Sequence, residues 1–287
     1  PSELSCEMDI AHFNGYAEAL AVCHPTNLTI GHRLGPIQQG YNSQLALRHA
    51  MEKIILKLRR DYRKELKCIF WDSESGAASE ANKDYFALNF NGLDVVPLPS
   101  GVHRERVERK CGAIKSKMRC CTHSLLFVIP LSFVKYFIHA GIWWTNMDST
   151  SGNADNAPPI ISTLGDVNLT KYAHAHFGEL VTVRRHNGLQ HSSTELSRSE
   201  LWIRLHPDSH HETHLCLKFD SISEKSPVIQ SKKIHKVIVN VPAAIVHAIT
   251  VKALKERALV KKTSFAYLDS ISKHDTEKEM DNLLGFT

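Results

Sequence analysis

The chain has 287 residues, 43% of them hydrophobic and 23% charged, which is the balance of a folded globular protein and excludes disordered and collagen-like classes. Its seven cysteines are odd in number and include no CxxC pair, so neither a disulfide framework nor a zinc ribbon follows, and a reducing, cytoplasmic or nuclear location is expected. Net charge is only +5, yet residues 101–121 hold seven Arg and Lys against two Glu, so one short stretch carries the whole excess.

In chain order, the first 35 residues read as a strand meander. Short apolar runs at 5–13, 17–23 and 28–33 are broken by Asn14-Gly15, Pro25-Thr26-Asn27 and Gly35-Pro36. Over 41–65 the pattern turns helical, with Leu47, Met51, Ile54, Leu58 and Tyr62 at spacings of three and four. The run at 67–71 fits a strand buried on both faces and ends at Asp72. A helix at 79–90, a strand at 93–98 and, past Pro97, Pro99 and Gly101, a helix at 104–120 follow. That order predicts an α/β domain over 1–150, one mixed sheet covered by helices. The apolar run 125–144 approaches membrane-spanning length, but Pro130, Lys135 and His139 interrupt it. It reads as a buried or interface helix, with no membrane partner.

Residues 151–170, with the polar stretch 148–159 leading in, read as a linker. Short strands at 179–184, 201–205, 213–219 and 232–241 predict a small, mostly-β module over 171–245. Residues 246–287 read as a helix, begun at Ala243, and a charged tail. Pro1 is no natural start, so the chain is read as a fragment.

Three carboxylates stand at chemically useful places: Asp9 inside the first strand, Asp72 closing the fourth, and Glu108 on the helix after the proline-glycine loop. If they converge, they repel one another and call for cations, and oxygen ligands favour Mg²⁺ or Mn²⁺. Two such ions about 3.5–4 Å apart activate a water or a 3′-hydroxyl for phosphodiester attack. The bare spacing is weak evidence, because roughly one Asp-to-Glu pair at that distance arises by chance among 30 acids. Context adds weight. On the 104–120 helix, Val107, Cys111, Ile114 and Met118 form a core stripe, and Glu108, Gly112, Lys115 and Arg119 repeat that spacing one residue along. Glu108 therefore shares a face with two cations suited to phosphates. An ordinary solvated face with salt bridges fits the same pattern equally well.

The string V-E-R-K-C-G-A-I-K-S-K-M-R at 107–119 resembles the V-E-R-x-I-R-x-I-K-x-R-x-R helix of integrases from LTR-retrotransposon polyproteins, particularly a copia-like group. C-E-M-D-I-A-H-F-N at 6–14 resembles that group's opening strand, and I-F-W-D-S-E at 69–74 its second aspartate segment. H-A-H-F-G-E-L-V-T-V at 174–183 resembles the start of its C-terminal β module. The matches are collinear over residues 1 to about 245. The resemblance implies an RNase H-like core and metal-dependent 3′-end processing and strand transfer of element DNA into host DNA. Asp9, Asp72 and Glu108 map onto the catalytic, metal-holding triad with two Mg²⁺ or Mn²⁺ ions. Lys115 maps onto a DNA contact, with Arg109, Lys110, Lys117 and Arg119 around it, and a homo-oligomer would hold the DNA ends. The chain departs from the family at Gly112, where Arg is usual, and no His-His-Cys-Cys zinc pattern precedes the first strand. A silent nucleic-acid-binding remnant and an RNase H-like nuclease stay open beside the integrase reading. The cluster of histidines at 206–216 reads as a solvated loop rather than a zinc site, Cys120-Cys121 and Trp143-Trp144 as packing, and 151–156 as linker rather than a phosphate loop.

Overall fold

The computed structural model describes residues 4–13, 15–36, 43–72, 79–99, 105–165, 169, 176–183, 200–208, 213–222, 224, 226–238 and 241–268, with the side chains of Pro36, Asp72 and 260–268 outside the description. It divides into two compact units, Pro1–Arg119 with Gly141–Val167, and Cys120–Ala140 with Asn168–Thr287.

In the first unit, β1 (Leu4–Phe13), β2 (Tyr16–His24) and β3 (Leu28–Pro36) form the expected antiparallel meander. Helix α1 (Gln44–Lys57) begins at Ser43, whose hydroxyl accepts from the Ala46 amide, and runs on into a π-helical turn at Leu58–Tyr62. Strand β4 (Leu66–Asp72) pairs in parallel with β1, and after α2 (Glu80–Asn89) strand β5 (Asp94–Leu98) pairs in parallel with β4. The sheet order is β3-β2-β1-β4-β5. A meander whose first strand is central, extended on its far side by two parallel strands, is the sheet of the RNase H-like fold.

Strand β1 serves both faces of this sheet. Leu4, Cys6 and Met8 enter the core against Leu47, Ala50, Met51 and Ile54 of α1. Alternation puts Glu7, Asp9, Ala11 and Phe13 on the opposite face. That face meets α3 (Glu105–Ser124), which buries Val107, Ile114 and Met118 as its stripe predicts. Helix α4 (Val134–Met147) packs close on α3 because Gly141 has no side chain: a Cβ there would stand 3.0 Å from Met118 Cγ and 3.1 Å from Ile114 Cγ2. The helix expected over 125–144 begins only at Val134, after a 3₁₀ turn at Leu131–Phe133. Pro130 has no amide to donate and holds the residue before it out of the helical region. No described helix is long and apolar enough to cross a membrane.

Two asparagines fasten the next segment. Asn146 of α4 accepts from the Thr29 amide at 2.8 Å and donates to the Thr29 carbonyl at 2.7 Å, standing in for a strand beside the edge strand β3. Asn153 is buried; it donates to the carbonyls of Thr26 at 3.0 Å and Ala157 at 2.9 Å and accepts from Asn27 at 2.7 Å. The polar stretch 148–159, expected as a linker, is thus bound to the β2–β3 turn, and it leads into α5 (Pro159–Leu164). Beneath α4, Glu18 of β2 is fully buried beside Gly31, whose absent Cβ would fall 2.8 Å from Glu18 Oε1 and 2.5 Å from Ile142 Cδ1. Burial pushes the Glu18 carboxyl up to about 8, against the pull of Lys57 and Arg33.

The second unit holds β6 (Leu180–Val183), β7 (Glu200–Pro207), β8 (His214–Lys218), β9 (Ile229–Lys232) and β10 (Ile234–Ile238), an antiparallel sheet in the order β10-β6-β7-β8-β9. The strand expected at 232–241 is β10, which begins at Ile234, and β9 is a further strand just before it. Val181, Val183, Trp202 and Cys216 form its core. Arg204 is buried there, its Nε donating to His214 Nδ1 at 3.0 Å, and burial lowers both groups, Arg204 to about 10 and His214 to about 3. The terminal helix α6 (Ala243–Leu268) begins where expected, at Ala243, and buries Ile245, Ile249 and Ala253. The charged tail at 270–281 lies outside the described residues.

Two stability effects follow. Gly112 is exposed on α3 with open space where a Cβ would stand, so Gly112→Ala should raise stability by about 1 kcal/mol in urea unfolding. Glu18 carries a raised pKa in the folded state, so its contribution is complete below its ordinary value of 4.5 and is lost as pH rises through about 8. Glu18→Gln, which keeps the shape and cannot ionise, should flatten the fall in urea midpoint between about pH 5 and about pH 9. An unchanged slope in that variant would remove Glu18 as its source.

Candidate active site on the central strand

Asp9 stands half-exposed on β1, the central strand, where its Oδ1 accepts from the Ile10 amide at 2.7 Å. The parallel ladder between β1 and β4 pairs Glu7 with Phe70. Asp9 and Asp72 each come two residues further along their strands, past this last rung of the ladder. On its other side the Asp72 backbone pairs with Leu98 of β5. The Asp72 side chain lies outside the described residues.

Glu108 is exposed on the first turns of α3, next to the buried anchor Val107. One turn on, Cys111 reports the neighbourhood. Burial pushes its thiol up, the Lys115 ammonium pulls it down, and the charges of Asp9 and Glu108 both raise it. Cys111 thus lies within electrostatic reach of Asp9, Glu108 and Lys115. Contacts on either side fix the alignment. Arg106 Nε lies 3.6 Å from Glu7 Oε1, and Lys115 Nζ lies 5.7 Å from the Phe13 ring centroid. Helix α3 therefore runs beside β1 in the same direction, with the two carboxylates between these contacts.

Both acids reach solvent, and their hard oxygens suit a divalent cation of the Mg²⁺ or Mn²⁺ kind. Among the described residues no three His, Cys, Asp or Glu side chains form a metal-holding group. The cations of α3 are unequally placed. Arg109 pairs with Glu105 at 3.1 Å, Lys117 pairs with Asp148, and Lys110 is half-buried and reaches Thr150 Oγ1 at 3.4 Å. Burial lowers the Lys110 pKa, with Asp148 opposing. Lys115 and Arg119 are exposed on the face of Glu108.

Three residues of this region escape the sequence reading. Cys111 belongs to the predicted core stripe, yet it stands at the border of the site. Glu7 shares a strand face with Asp9 by simple alternation, a signal that was there to use. Arg106 is hidden among the seven cations of its stretch.

No family model matches the chain, and no curated protein matches it. Among solved structures it is similar to a chain of the simian T-cell lymphotropic virus intasome in complex with PP2A regulatory subunit B56 gamma, at 13% identity and TM-score 0.44 over 83% of this chain and 79% of that one. It is similar to the HTLV-2 integrase catalytic core domain in complex with magnesium, in its trimeric form, at 11% identity and TM-score 0.42 over 56% of this chain and 95% of that one. It is also similar to the BIV integrase catalytic core domain, at 12% identity and TM-score 0.41 over 56% and 93%. The fold assignment stands on strand order and direction.

The exposed pair on the Glu108 face allows a direct test for nucleic acid. Replacing Lys115 and Arg119 with Ala should weaken DNA binding for all sequences alike and reduce the salt slope by about 0.9 per lost phosphate contact. Filter binding at several salt concentrations measures it. Identical slopes for wild type and the double variant mean that the face is only solvated.

Proposed function

We propose that this chain is a metal-dependent polynucleotidyl transferase of the integrase type, derived from an LTR retrotransposon of the copia-like group, that processes the 3′ ends of element DNA and joins them to host DNA. The reading is supported most by the parallel register of β1 and β4, in which Asp9 and Asp72 each follow two residues after the Glu7–Phe70 rung, with the charges of Asp9 and Glu108 both felt by Cys111. In this reading Asp9, Asp72 and Glu108 would hold two Mg²⁺ or Mn²⁺ ions, whose chemistry would be to activate a water or 3′-hydroxyl for attack on a phosphodiester. The protein contributes position. Asp9 sits on the central strand, and Glu108 is held by the buried stripe of α3 beneath it. Lys115 and Arg119 receive the phosphates on either side of the reacting one, with Arg109, Lys110 and Lys117 reaching DNA only by giving up present contacts. The β module of the second unit binds DNA without sequence preference, and a homo-oligomer holds two DNA ends. The enzyme acts in the cytoplasm or nucleus.

A second reading, a DNA-binding remnant without turnover, is favoured by Lys115. Its ammonium lowers the Cys111 thiol against the charges of Asp9 and Glu108, so a protein cation acts in the field of both carboxylates. Nicking and joining of a DNA duplex with Mg²⁺ or Mn²⁺ separates the two. Wild type should show both activities, and Asp72→Asn should abolish them while the circular dichroism spectrum and DNA affinity hold. Full activity in Asp72→Asn sinks the triad. DNA binding without turnover in wild type under either metal selects the remnant.

A further inference from the structure

Glu7 and Arg106 belong to no triad, yet each stands two residues before one of its members. Glu7 precedes Asp9 on β1, and Arg106 precedes Glu108 on α3. Their side chains meet, Nε to Oε1, at 3.6 Å, 40% and 24% exposed respectively. The pair is also felt by His24 on β2, whose pKa burial lowers first, with Arg106 lowering and Glu7 raising it. Because alternation puts Glu7 and Asp9 on one face of β1, the contact point and the carboxylate share that face.

The geometry limits how α3 can sit. A helix rises about 1.5 Å per residue and a strand about 3.3 Å, so two parallel elements in contact stay level only near a point where they are pinned. The Lys115 contact with Phe13 is a long, flexible one at the far end. The pin nearest Glu108 is Arg106 with Glu7. Sliding α3 by one residue would rotate its face by about 100° and carry Glu108 away from Asp9. The buried stripe of Val107, Ile114 and Met118 sets which side of the helix faces the sheet, but apolar contacts are non-directional and specify its axial position weakly.

We propose that Glu7 and Arg106 are positioning residues that set the register of α3 on β1 and hold Glu108 level with Asp9. This rests on the reading of Asp9 and Glu108 as metal ligands. A half-exposed ion pair adds little to stability. Its effect falls on ligand geometry, where the loss of an outer partner weakens metal affinity by about 10-fold or more.

The test uses the whole chain and Mn²⁺ as the probe, with binding read by calorimetry, alongside Tm and DNA nicking. Glu7→Gln and Arg106→Gln should each weaken Mn²⁺ binding about 10-fold and lower kcat, while Tm moves little. The charge swap, E7R with R106E, should recover most of the affinity, because it restores the pair with reversed sign. Single variants that bind Mn²⁺ like wild type overturn the proposal. So does a swap that stays as weak as Glu7→Gln, which would instead make Glu7 a direct ligand. If wild type binds Mn²⁺ and Asp9→Asn removes that binding, either failure belongs to the pair alone. If wild type binds no Mn²⁺, the metal-site reading falls and the pair with it.

Discussion

The parallel pairing of β1 with β4 is the constraint on which the rest of this unit depends. The ladder sets Glu7 opposite Phe70, and Asp9 and Asp72 each follow two residues later on their strands. A slip of one residue would turn every side chain of a strand to the other face. The core forbids such a slip. Leu4, Cys6 and Met8 fill the α1 side of β1, and Ile69 and Trp71 are buried on β4, so a shifted register would carry Glu7 and Asp9 into that apolar layer. Hydrophobic packing on one face thereby fixes carboxylate geometry on the other.

Helix α3 stands under a different constraint. Its basic run looks like a uniform DNA-binding surface when read as charge, but the fold divides it. Arg109 turns to Glu105 on the same helix, while Lys110 and Lys117 turn to the 148–150 segment, leaving Lys115 and Arg119 on the face that carries Glu108. With Arg106 on Glu7, four of the six described cations hold the protein to itself. That division follows from helical spacing, because positions 110 and 117 lie seven apart on one side and 108, 115 and 119 on another. The local positive excess and the carboxylate site therefore overlap only at two cations.

Much of this was legible in the sequence. The five strands of the first sheet and helices α1 to α3 follow from alternation, from three-and-four spacing and from the breaks at Asn14-Gly15 and Pro99, because those signals are local. Contacts made by polar side chains over long sequence distances were not legible. Asn146 reaches Thr29 across 117 residues, and Asn153 reaches Thr26 across 127, so a stretch with a linker's composition is an ordered bracket. Glu18 gives no warning either. In A-E-A-L-A-V at 17–22 a lone glutamate looks like the wet side of an edge strand, and only α4 lying over β2 makes that face dry. The run 125–144 failed for a local reason that was visible: Pro130 ends what precedes it.

Glu18 also bears on the charge of the site. Asp9 pairs with Leu20 and Ala11 with Glu18, so Glu18 is the diagonal neighbour of Asp9 on the same sheet face, with Cβ atoms about 7 Å apart. An ionised carboxylate there would place a second negative charge beside that of Asp9. Burial under Ile142 prevents this at neutral pH, because a carboxyl raised to about 8 keeps its proton. The desolvation that makes Glu18 costly to ionise thus leaves the sheet face with fewer negative charges than its sequence counts. The same helix, α4, supplies both Ile142 and the Asn146 clamp on β3. Loosening α4 would admit water to Glu18, lower its pKa and place a further negative charge beside Asp9, so the packing of α4 and the electrostatics of the carboxylate site are one coupled property of the fold.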